Sequence, residues 1–181
     1  RWGLVEQVFV RDAAVVGRER VGALVGQMHH SKIYNSYAQG ELLCTKWDNF
    51  NGGGQSRWNR ACGQLVGTTV HGTVVNSYAA VDAAPHFGLA GGSAPRTHTA
   101  AFYDCDIIGG CTTPHPERRT TAQLQSESYL VAQLWNFDAV WGIAASATYP
   151  CLQWEPGCSE PVCAANDVTC DGVDDDCNGS V

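Results

Sequence analysis

The chain has 181 residues, of which 44% are hydrophobic, so it can bury the core of one domain. Its net charge of −7 is uneven, because residues 1–154 carry eleven acidic and eleven basic side chains whereas residues 155–181 carry seven acidic and no basic ones. A neutral body without clustered lysine and arginine argues against nucleic-acid binding. No apolar run approaches the roughly 20 residues that span a bilayer, so we expect no membrane insertion in this segment.

Nine cysteines are many for a chain of this length and indicate an oxidising compartment with several disulfide bonds and one odd thiol. We therefore expect a portion of a secreted or cell-surface protein. The twenty glycines show no collagen period, and together with the apolar fraction they predict tight corners between short strands.

An internal repeat organises the chain. Residues 21–40 (VGALVGQMHHSKIYNSYAQG) recur at 62–80 (CGQLVGTTVHGTVVNSYAA) with an offset of 41. A degenerate copy precedes them, and a further copy follows at an offset of 25. These offsets predict one aromatic column of Phe9, Tyr37, Tyr78 and Tyr103.

Short apolar strands with glycine corners at a repeat of about 25 residues favour an all-β fold. We predict a parallel β-solenoid (β-helix) of about four short coils. Stacking then predicts an inward aromatic ladder and places Asn35 over Asn76, where the amides satisfy backbone groups at a corner. His30 falls over His71 with Arg96 next in register. No third histidine or acidic ligand follows that register, so we interpret these rings as surface histidines.

The long offset of 41 requires an inserted loop, which we place at residues 41–61. Cys44 and Cys62 bracket it, and a disulfide between them would stabilise the fold by about 3 kcal/mol. The loop holds aromatic and basic side chains suited to a sugar or a protein surface, namely Trp47, Phe50, Arg57 and Trp58. The alternative is that the two indoles pack on the base of their own loop.

We divide the chain into solenoid coils at 1–119, a small α/β cap at 120–154 and a cysteine-rich acidic tail at 155–181. Thr120 and Gln123 form a capping-box pattern, and a helical apolar face follows at Leu124, Leu130, Val131 and Leu134. The aromatic residues after it predict a final strand pair over the last coil. Such a cap would cover unpaired strand edges.

The pieces VGALVG, IYNSYAQG, CGQLVG and VVNSYAA, with the closing TTAQLQSESYL, WNFDAVWGI and YPCLQW, resemble the GLUG-motif repeats of bacterial secreted and adhesin-type proteins. The likeness covers about residues 3–154 and implies a β-solenoid stalk or adhesion module rather than a catalytic domain. Residues 100–102 read Ala-Ala-Phe where the repeat has Asn-Ser. The tail CDGVDDDCNG resembles part of the metal-binding motif of MopE-type extracellular proteins.

The tail also has the chemistry of half a calcium loop. Asp174, Asp176 and Asn178 alternate before Gly179, and the carbonyl of Ser180 would be the next oxygen ligand. Asp171 would add charge, and a Cys170–Cys177 disulfide would pin the loop. Two alternatives remain open: thiolate binding of zinc or copper by the tail cysteines, and a solvated acidic tail without metal. Elsewhere Cys105 can pair with Cys111 around a small turn, and Cys151 with Cys158.

These features predict a non-enzymatic, extracellular structural or adhesive module. We expect a glycan or protein surface as partner and homo-assembly through the solenoid ends. The alternative is a polysaccharide-acting enzyme or carbohydrate-binding module on the same scaffold. Asp104 and Asp106 alternate and could face one side of a strand as a carboxylate pair. No nucleophile-elbow, zinc-protease or phosphate-loop motif occurs in the sequence.

Overall fold

The computed structural model describes residues 3–45, 62–84, 88–91, 97–112, 114–143 and 148–158. Their regular secondary structure is mostly β-strand with parallel pairing, which confirms the predicted all-β class. The strands are β1 (Leu4–Glu6), β2 (Phe9–Gly17), β3 (Val25–His29), β4 (Lys32–Tyr34), β5 (Tyr37–Cys44), β6 (Val66–Val70), β7 (Thr73–Val75), β8 (Tyr78–Ala84), β9 (Thr97–Thr99), β10 (Phe102–Asp104), β11 (Arg118–Arg119), β12 (Trp141–Gly142) and β13 (Cys151–Leu152), and the helices are α1 (Thr121–Leu124) and α2 (Glu127–Ala132).

Three parallel sheets contain the repeated strands. Their orders are β1-β4-β7-β9, β2-β5-β8-β10-β11 and β3-β6. In the first sheet, Val5 aligns with Ile33, Ile33 with Val74, and Val74 with His98, so successive repeats are offset by 28, 41 and 24 residues. The second sheet has the same offsets, except that residues 13–17 pair at an offset of 27 after a bulge in β2. In the third sheet, an isolated bridge between Val66 and Ala90 adds a further repeat at an offset of 24. One sequence repeat therefore supplies neighbouring strands to each sheet.

The predicted place of Tyr103 in the aromatic column is wrong by one residue. Phe102, not Tyr103, pairs with Tyr78, because the last offset is 24 rather than 25. Tyr103 pairs with Ala79, and a one-residue shift in a strand turns a side chain to the opposite face. The column is Phe9, Tyr37, Tyr78 and Phe102. The rings of Phe9 and Tyr37 stack at 5.4 Å, and those of Tyr37 and Tyr78 at 5.0 Å.

A corner column lies two residues before these rings. Gln7, Asn35, Asn76 and Ala100 all have left-handed backbone, with φ of 51°, 47°, 44° and 47°. Asparagine tolerates this conformation better than most residues. The asparagines therefore allow the chain to turn, whereas we predicted that they satisfy the corner's backbone groups.

Serine hydroxyls satisfy those backbone groups instead. The Oγ of Ser77 accepts a hydrogen bond from Ser36 N at 3.1 Å and donates to Val75 O at 2.8 Å. The Oγ of Ser36 accepts from Val8 N and donates to Tyr34 O in the same way. Both serines are fully buried. Each of these two repeats thus places a hydroxyl beside a backbone N–H of the preceding corner.

Glycines allow the repeats to approach closely at another corner. A Cβ at Gly91 would lie 2.3 Å from Gly67 O, and a Cβ at Gly67 would lie 2.3 Å from Arg20 O. These separations are far below a van der Waals contact. The glycines of the repeated Leu-Val-Gly pattern and of Leu-Ala-Gly therefore provide space for the backbone of the neighbouring repeat.

The five-stranded sheet has a hydrophobic cluster on each face. One cluster includes Ala38, Ala79 and Tyr103 from this sheet, together with Ile33 and Val66 from the other two parallel sheets. The other cluster contains Tyr37, Tyr78 and Phe102 with side chains from the C-terminal region. The aromatic ladder therefore faces away from the cluster shared by the three sheets, and the predicted inward direction is wrong.

The C-terminal region begins with the predicted capping box, in which Thr120 Oγ1 accepts from Gln123 N and Gln123 Oε1 accepts from Thr120 N. The helical stretch divides into α1 and α2, because Ser126 caps a second helix. Leu124 and Leu130 are buried, but Leu134 is 86% exposed, so the predicted apolar face is only partly used. β12 and β13 form the expected strand pair. They pack on the aromatic face of the five-stranded sheet, whereas we predicted a lid over the last coil.

Candidate functional site

Several predicted site residues lie outside the described residues. They are the calcium ligands Asp171, Asp174, Asp176, Asn178 and Ser180, the disulfide candidates Cys170 and Cys177, and the loop residues Trp47, Phe50, Arg57 and Trp58. Arg96, placed in the histidine register, also lies outside them. These assignments stay predictions.

The structure contains three disulfide bonds among the described residues. They join Cys44 to Cys62, Cys105 to Cys111 and Cys151 to Cys158, which are pairs that the sequence suggests. The first bond joins the last residue of β5 to Cys62, and residues 41–44, which we assigned to the inserted loop, belong to β5 instead. The third closes the segment around β13. Disulfides persist in oxidising compartments, so their presence agrees with an extracellular location.

A polar groove of about 340 Å³ lies between the five-stranded sheet and the C-terminal region. Arg11 and Gln39 line it from the sheet, and Gln125, Thr148 and Tyr149 line it from the other side. Guanidinium, amide and hydroxyl groups, with an aromatic ring, form a surface suited to hydroxyl-rich ligands. The groove is therefore a candidate binding site in the described part of the chain.

A β-bulge positions Arg11 in this groove. Val10 pairs with Ala38 and Ala13 with Gly40, so Arg11 and Asp12 together lie opposite Gln39. Asp12 has a left-handed φ of 53°. Bulges of this kind redirect side chains beside functional surfaces.

Arg11 also joins the sheet to the C-terminal region. Its Nη2 donates to Tyr37 OH at 2.7 Å and to Glu155 Oε2 at 2.8 Å, and Tyr37 OH donates to the same carboxylate oxygen at 2.7 Å. Glu155 Oε1 accepts from Leu152 N. Glu155 is 4% exposed, so this interaction is protected from solvent on the carboxylate side. The three side chains fix one wall of the groove.

Gln39 and Tyr78 fix the groove floor. Gln39 Nε2 donates to Tyr78 OH at 2.6 Å, and Tyr78 OH donates to Pro150 O at 2.6 Å. The ring of Tyr149 stacks on that of Tyr78 at 5.9 Å. The aromatic column is therefore continued across the interface into the groove lining.

Burial controls the phenol groups of this interface. Desolvation raises the pKa of Tyr37 and of Tyr149, and hydrogen bonds to Glu155 and Asp104, respectively, raise it further. Desolvation likewise raises the pKa of Tyr78, and the charge of a Tyr37 phenolate would add to the effect. These phenols therefore stay protonated, and donate hydrogen bonds, well above the ordinary pH range for tyrosine.

The predicted carboxylate pair has structural partners. Asp104 is fully buried, and its Oδ2 accepts from Thr121 Oγ1 and Tyr149 OH while its Oδ1 accepts from Asp106 N. Asp106 is exposed and accepts from Thr121 N. Both carboxylates thus contact the start of α1. Catalytic use of the pair stays a prediction.

Cys105, Asp106 and Cys111 bring three candidate metal-ligand atoms within 4.8 Å of one another. The two sulfurs form a disulfide, however, and a disulfide has no thiolate to donate to a metal. The group could act as a soft-metal site only after reduction. Asp106 was recognised in the sequence as a carboxylate, but its contact with this disulfide was not.

Sequence reasoning missed the groove residues. Gln39 lies two positions after Tyr37, and alternation along a strand could have placed it on the same face. Arg11 holds the corresponding place after Phe9, at the same offset of 28 residues, so the same alternation could have placed it there. Glu155 was assigned to the acidic tail, and nothing in the pattern indicates its contact with a strand 144 residues earlier.

Comparisons with known proteins do not assign a family to this chain. No protein-family profile and no solved structure matches the chain. A protein of Evansella cellulosilytica named "Putative Gly-rich membrane protein" is 32% identical over 129 residues. The match covers 66% of this chain and 14% of that protein's length. Among the described residues, the helices are too short and too polar to cross a bilayer.

Proposed function

We propose that the chain is a β-solenoid module with a structural and adhesive role in a secreted or cell-surface protein. The observation that supports this proposal is the common set of offsets, 28, 41 and 24 residues, by which successive strands align. Repeats that contact mainly their sequence neighbours build elongated scaffolds. The GLUG-like pieces and the three disulfides agree with such a scaffold outside the cytoplasm.

An experimental structure tests the architecture. In a solenoid, the three parallel sheets are successive sides of one coil, and the first hydrophobic cluster is its interior. Separate sheets that do not share that interior would contradict the proposal. Free-thiol titration of the secreted protein tests the compartment, because the cysteines of the three described disulfides should not react before reduction.

The adhesive role is tested with the chain immobilised on beads. Retention of the beads on surfaces coated with cells or polysaccharide, compared with beads carrying the reduced and unfolded chain, measures adhesion. Sedimentation of the free chain measures homo-assembly through the strand edges. Equal retention of folded and unfolded chain would contradict specific adhesion.

A carbohydrate-binding role is the second candidate, and the polar groove supports it. Two amide side chains, a guanidinium and a hydroxyl line the groove, and Tyr149 adds an aromatic ring. Planar polar groups beside a ring suit the hydroxyl edge and the apolar face of a sugar. Glu155 neutralises Arg11, so we propose a neutral oligosaccharide as ligand.

Variants separate this role from the scaffold. Gln39→Ala removes a groove amide and leaves Tyr78 bonded to Pro150. We expect about tenfold weaker binding of a neutral oligosaccharide, since one good hydrogen bond corresponds to about 1 kcal/mol or more. Gln133→Ala, at a half-buried position directly after α2 and outside the groove, is the matched control. Equal losses in both variants would contradict a site in the groove.

Calcium binding by the tail is also a proposal. It rests on the alternating oxygen ligands at residues 174–178 and the resemblance to MopE-type motifs. Thermal unfolding under non-reducing conditions, with calcium and then with a chelator, tests it. An unfolding midpoint that does not change in the presence of millimolar calcium would contradict calcium binding by the tail.

A further inference from the structure

Three imidazoles converge at one corner of the repeat. His29 ends β3, and His30 and His71 occupy equivalent corners of two successive repeats. The rings of His30 and His71 stack with centroids 4.8 Å apart, and those of His29 and His30 lie edge to face at 4.5 Å. The sequence register shows the His30–His71 pair but not the approach of His29.

The backbone holds these rings together. His30 and His71 both have left-handed φ, 46° and 50°, so their side chains leave the chain in the same way. His30 N donates to Val70 O at 2.9 Å, which joins the two corners directly before His71. The spacing of the rings is therefore set by the spacing of parallel strands. His29 and His71 are exposed, so an ion from solvent can reach the cluster.

We propose that His29, His30 and His71 form a binding site for a divalent transition metal of the copper, nickel or zinc type. Neutral imidazole nitrogens suit these ions, whereas calcium and magnesium require oxygen ligands. Metal–nitrogen bonds of about 2.0–2.1 Å place two bound nitrogens roughly 3 Å apart. The ring centroid of His30 now lies 4.5 Å from that of His29 and 4.8 Å from that of His71, so metal binding requires side-chain rotations that turn three ring nitrogens toward one ion. The site is independent of the adhesive role and of the acidic tail.

Copper(II) is the first probe, because it binds such ligands most tightly among the three ions. Titration of the full, non-reduced chain should give one saturable site whose electron paramagnetic resonance spectrum shows nitrogen hyperfine splitting. His30→Asn and His71→Asn remove an imidazole and keep a residue that tolerates left-handed φ. His29→Ala removes the third. We expect each variant to weaken this binding at least tenfold.

His115→Ala is the matched control, since His115 is exposed and belongs to a different part of the chain. It should bind copper(II) like the unchanged protein. Nitrogen-coordinated binding that persists undiminished in any of the three cluster variants would overturn the three-imidazole site. Oxygen-only coordination in the unchanged chain would also overturn it and would assign the metal to carboxylates. Circular dichroism spectra of all variants verify that the fold is intact.

Discussion

The imidazole of His98 lies with its Nδ1 2.5 Å from Glu117 Oε1, in a position that the preceding repeats fill with Val5, Ile33 and Val74. The side chains of His98 and Glu117 are only 5% and 12% exposed. The column of apolar residues in the first sheet therefore ends in a buried polar pair. Glu117 lies just before β11, the last strand of the neighbouring sheet.

This pair predicts unequal effects of single and double substitution. Glu117→Ala leaves His98 buried without its acceptor and should lower the free energy of unfolding by about 3 kcal/mol. The double variant His98→Val with Glu117→Leu restores an apolar contact and should be close to the unchanged chain. Urea unfolding of the single variants His98→Val and Glu117→Leu, of the double variant and of the unchanged chain gives the coupling energy. If the double variant were as unstable as Glu117→Ala, the buried pair would not be energetically coupled.

The serine column gives a second prediction. Ser77→Ala leaves the buried N–H of Ser36 without an acceptor and should destabilise the chain by about 1–2 kcal/mol. Ser31→Ala is the matched control, because Ser31 Oγ makes the same two kinds of hydrogen bond, to Gly3 N and His29 O, at a solvent-exposed corner. Its loss should change stability by about 0.5 kcal/mol or less. Equal thermal shifts in the two variants would contradict the role of burial.

Much of this arrangement follows from the sequence repeat. Identical residues at an offset of 41 determine the alignment of Tyr37 with Tyr78 and of Ser36 with Ser77, because parallel strands pair equivalent residues. The fourth repeat is too degenerate to distinguish offsets of 24 and 25, and the wrong choice moved Tyr103 to the wrong face. The pairing of β10 with β8 establishes the offset of 24, and the pairing of β9 with β7 agrees with it.

The candidate groove was not predictable in the same way. Its residues come from β2, β5 and the C-terminal region, and their contacts are not repeated along the chain. No sequence pattern predicts the bulge beside Arg11. Glu155 contacts Arg11 because the C-terminal region packs on the sheet. The face of the sheet on which the aromatic column lies could not be predicted either, because it also depends on how the C-terminal region packs. Alternation alone does not say which face of a doubly covered sheet is shared with other sheets.

Ala100 offers a stabilising substitution. It occupies the left-handed corner that holds Asn35 and Asn76 in earlier repeats, at a φ of 47°. An alanine in this conformation costs roughly 1 kcal/mol relative to glycine. Ala100→Gly should therefore raise the free energy of unfolding by about that amount. Ala101→Gly, at a buried neighbour without positive φ, should lower it instead, and a common sign for the two changes would contradict the corner assignment.

The buried phenols predict a loss of stability at high pH. The pKa of Tyr37 and of Tyr78 is raised in the folded chain, so above about pH 10 the unfolded chain releases phenolic protons that the folded chain retains. Unfolding then becomes more favourable with rising pH, by up to about 1.4 kcal/mol per pH unit for each phenol. Below the ordinary tyrosine pKa both states are protonated, so the stabilising contribution is complete and pH-independent there. Unfolding in urea at a series of alkaline pH values measures the slope.

Phenolate absorbance in the ultraviolet provides the direct measurement. Tyr37 and Tyr78 should ionise only as the chain unfolds. Tyr37→Phe is the test variant, since it removes one delayed phenol and keeps the stacked ring, and it should make the alkaline slope shallower by one proton. Tyr34→Phe, which removes a phenolic hydroxyl at a less buried position, is the matched control. Ionisation of every tyrosine in one step near pH 10, with the fold retained, would contradict the buried hydrogen-bonded phenols because an intact interface cannot accommodate their charge without solvent.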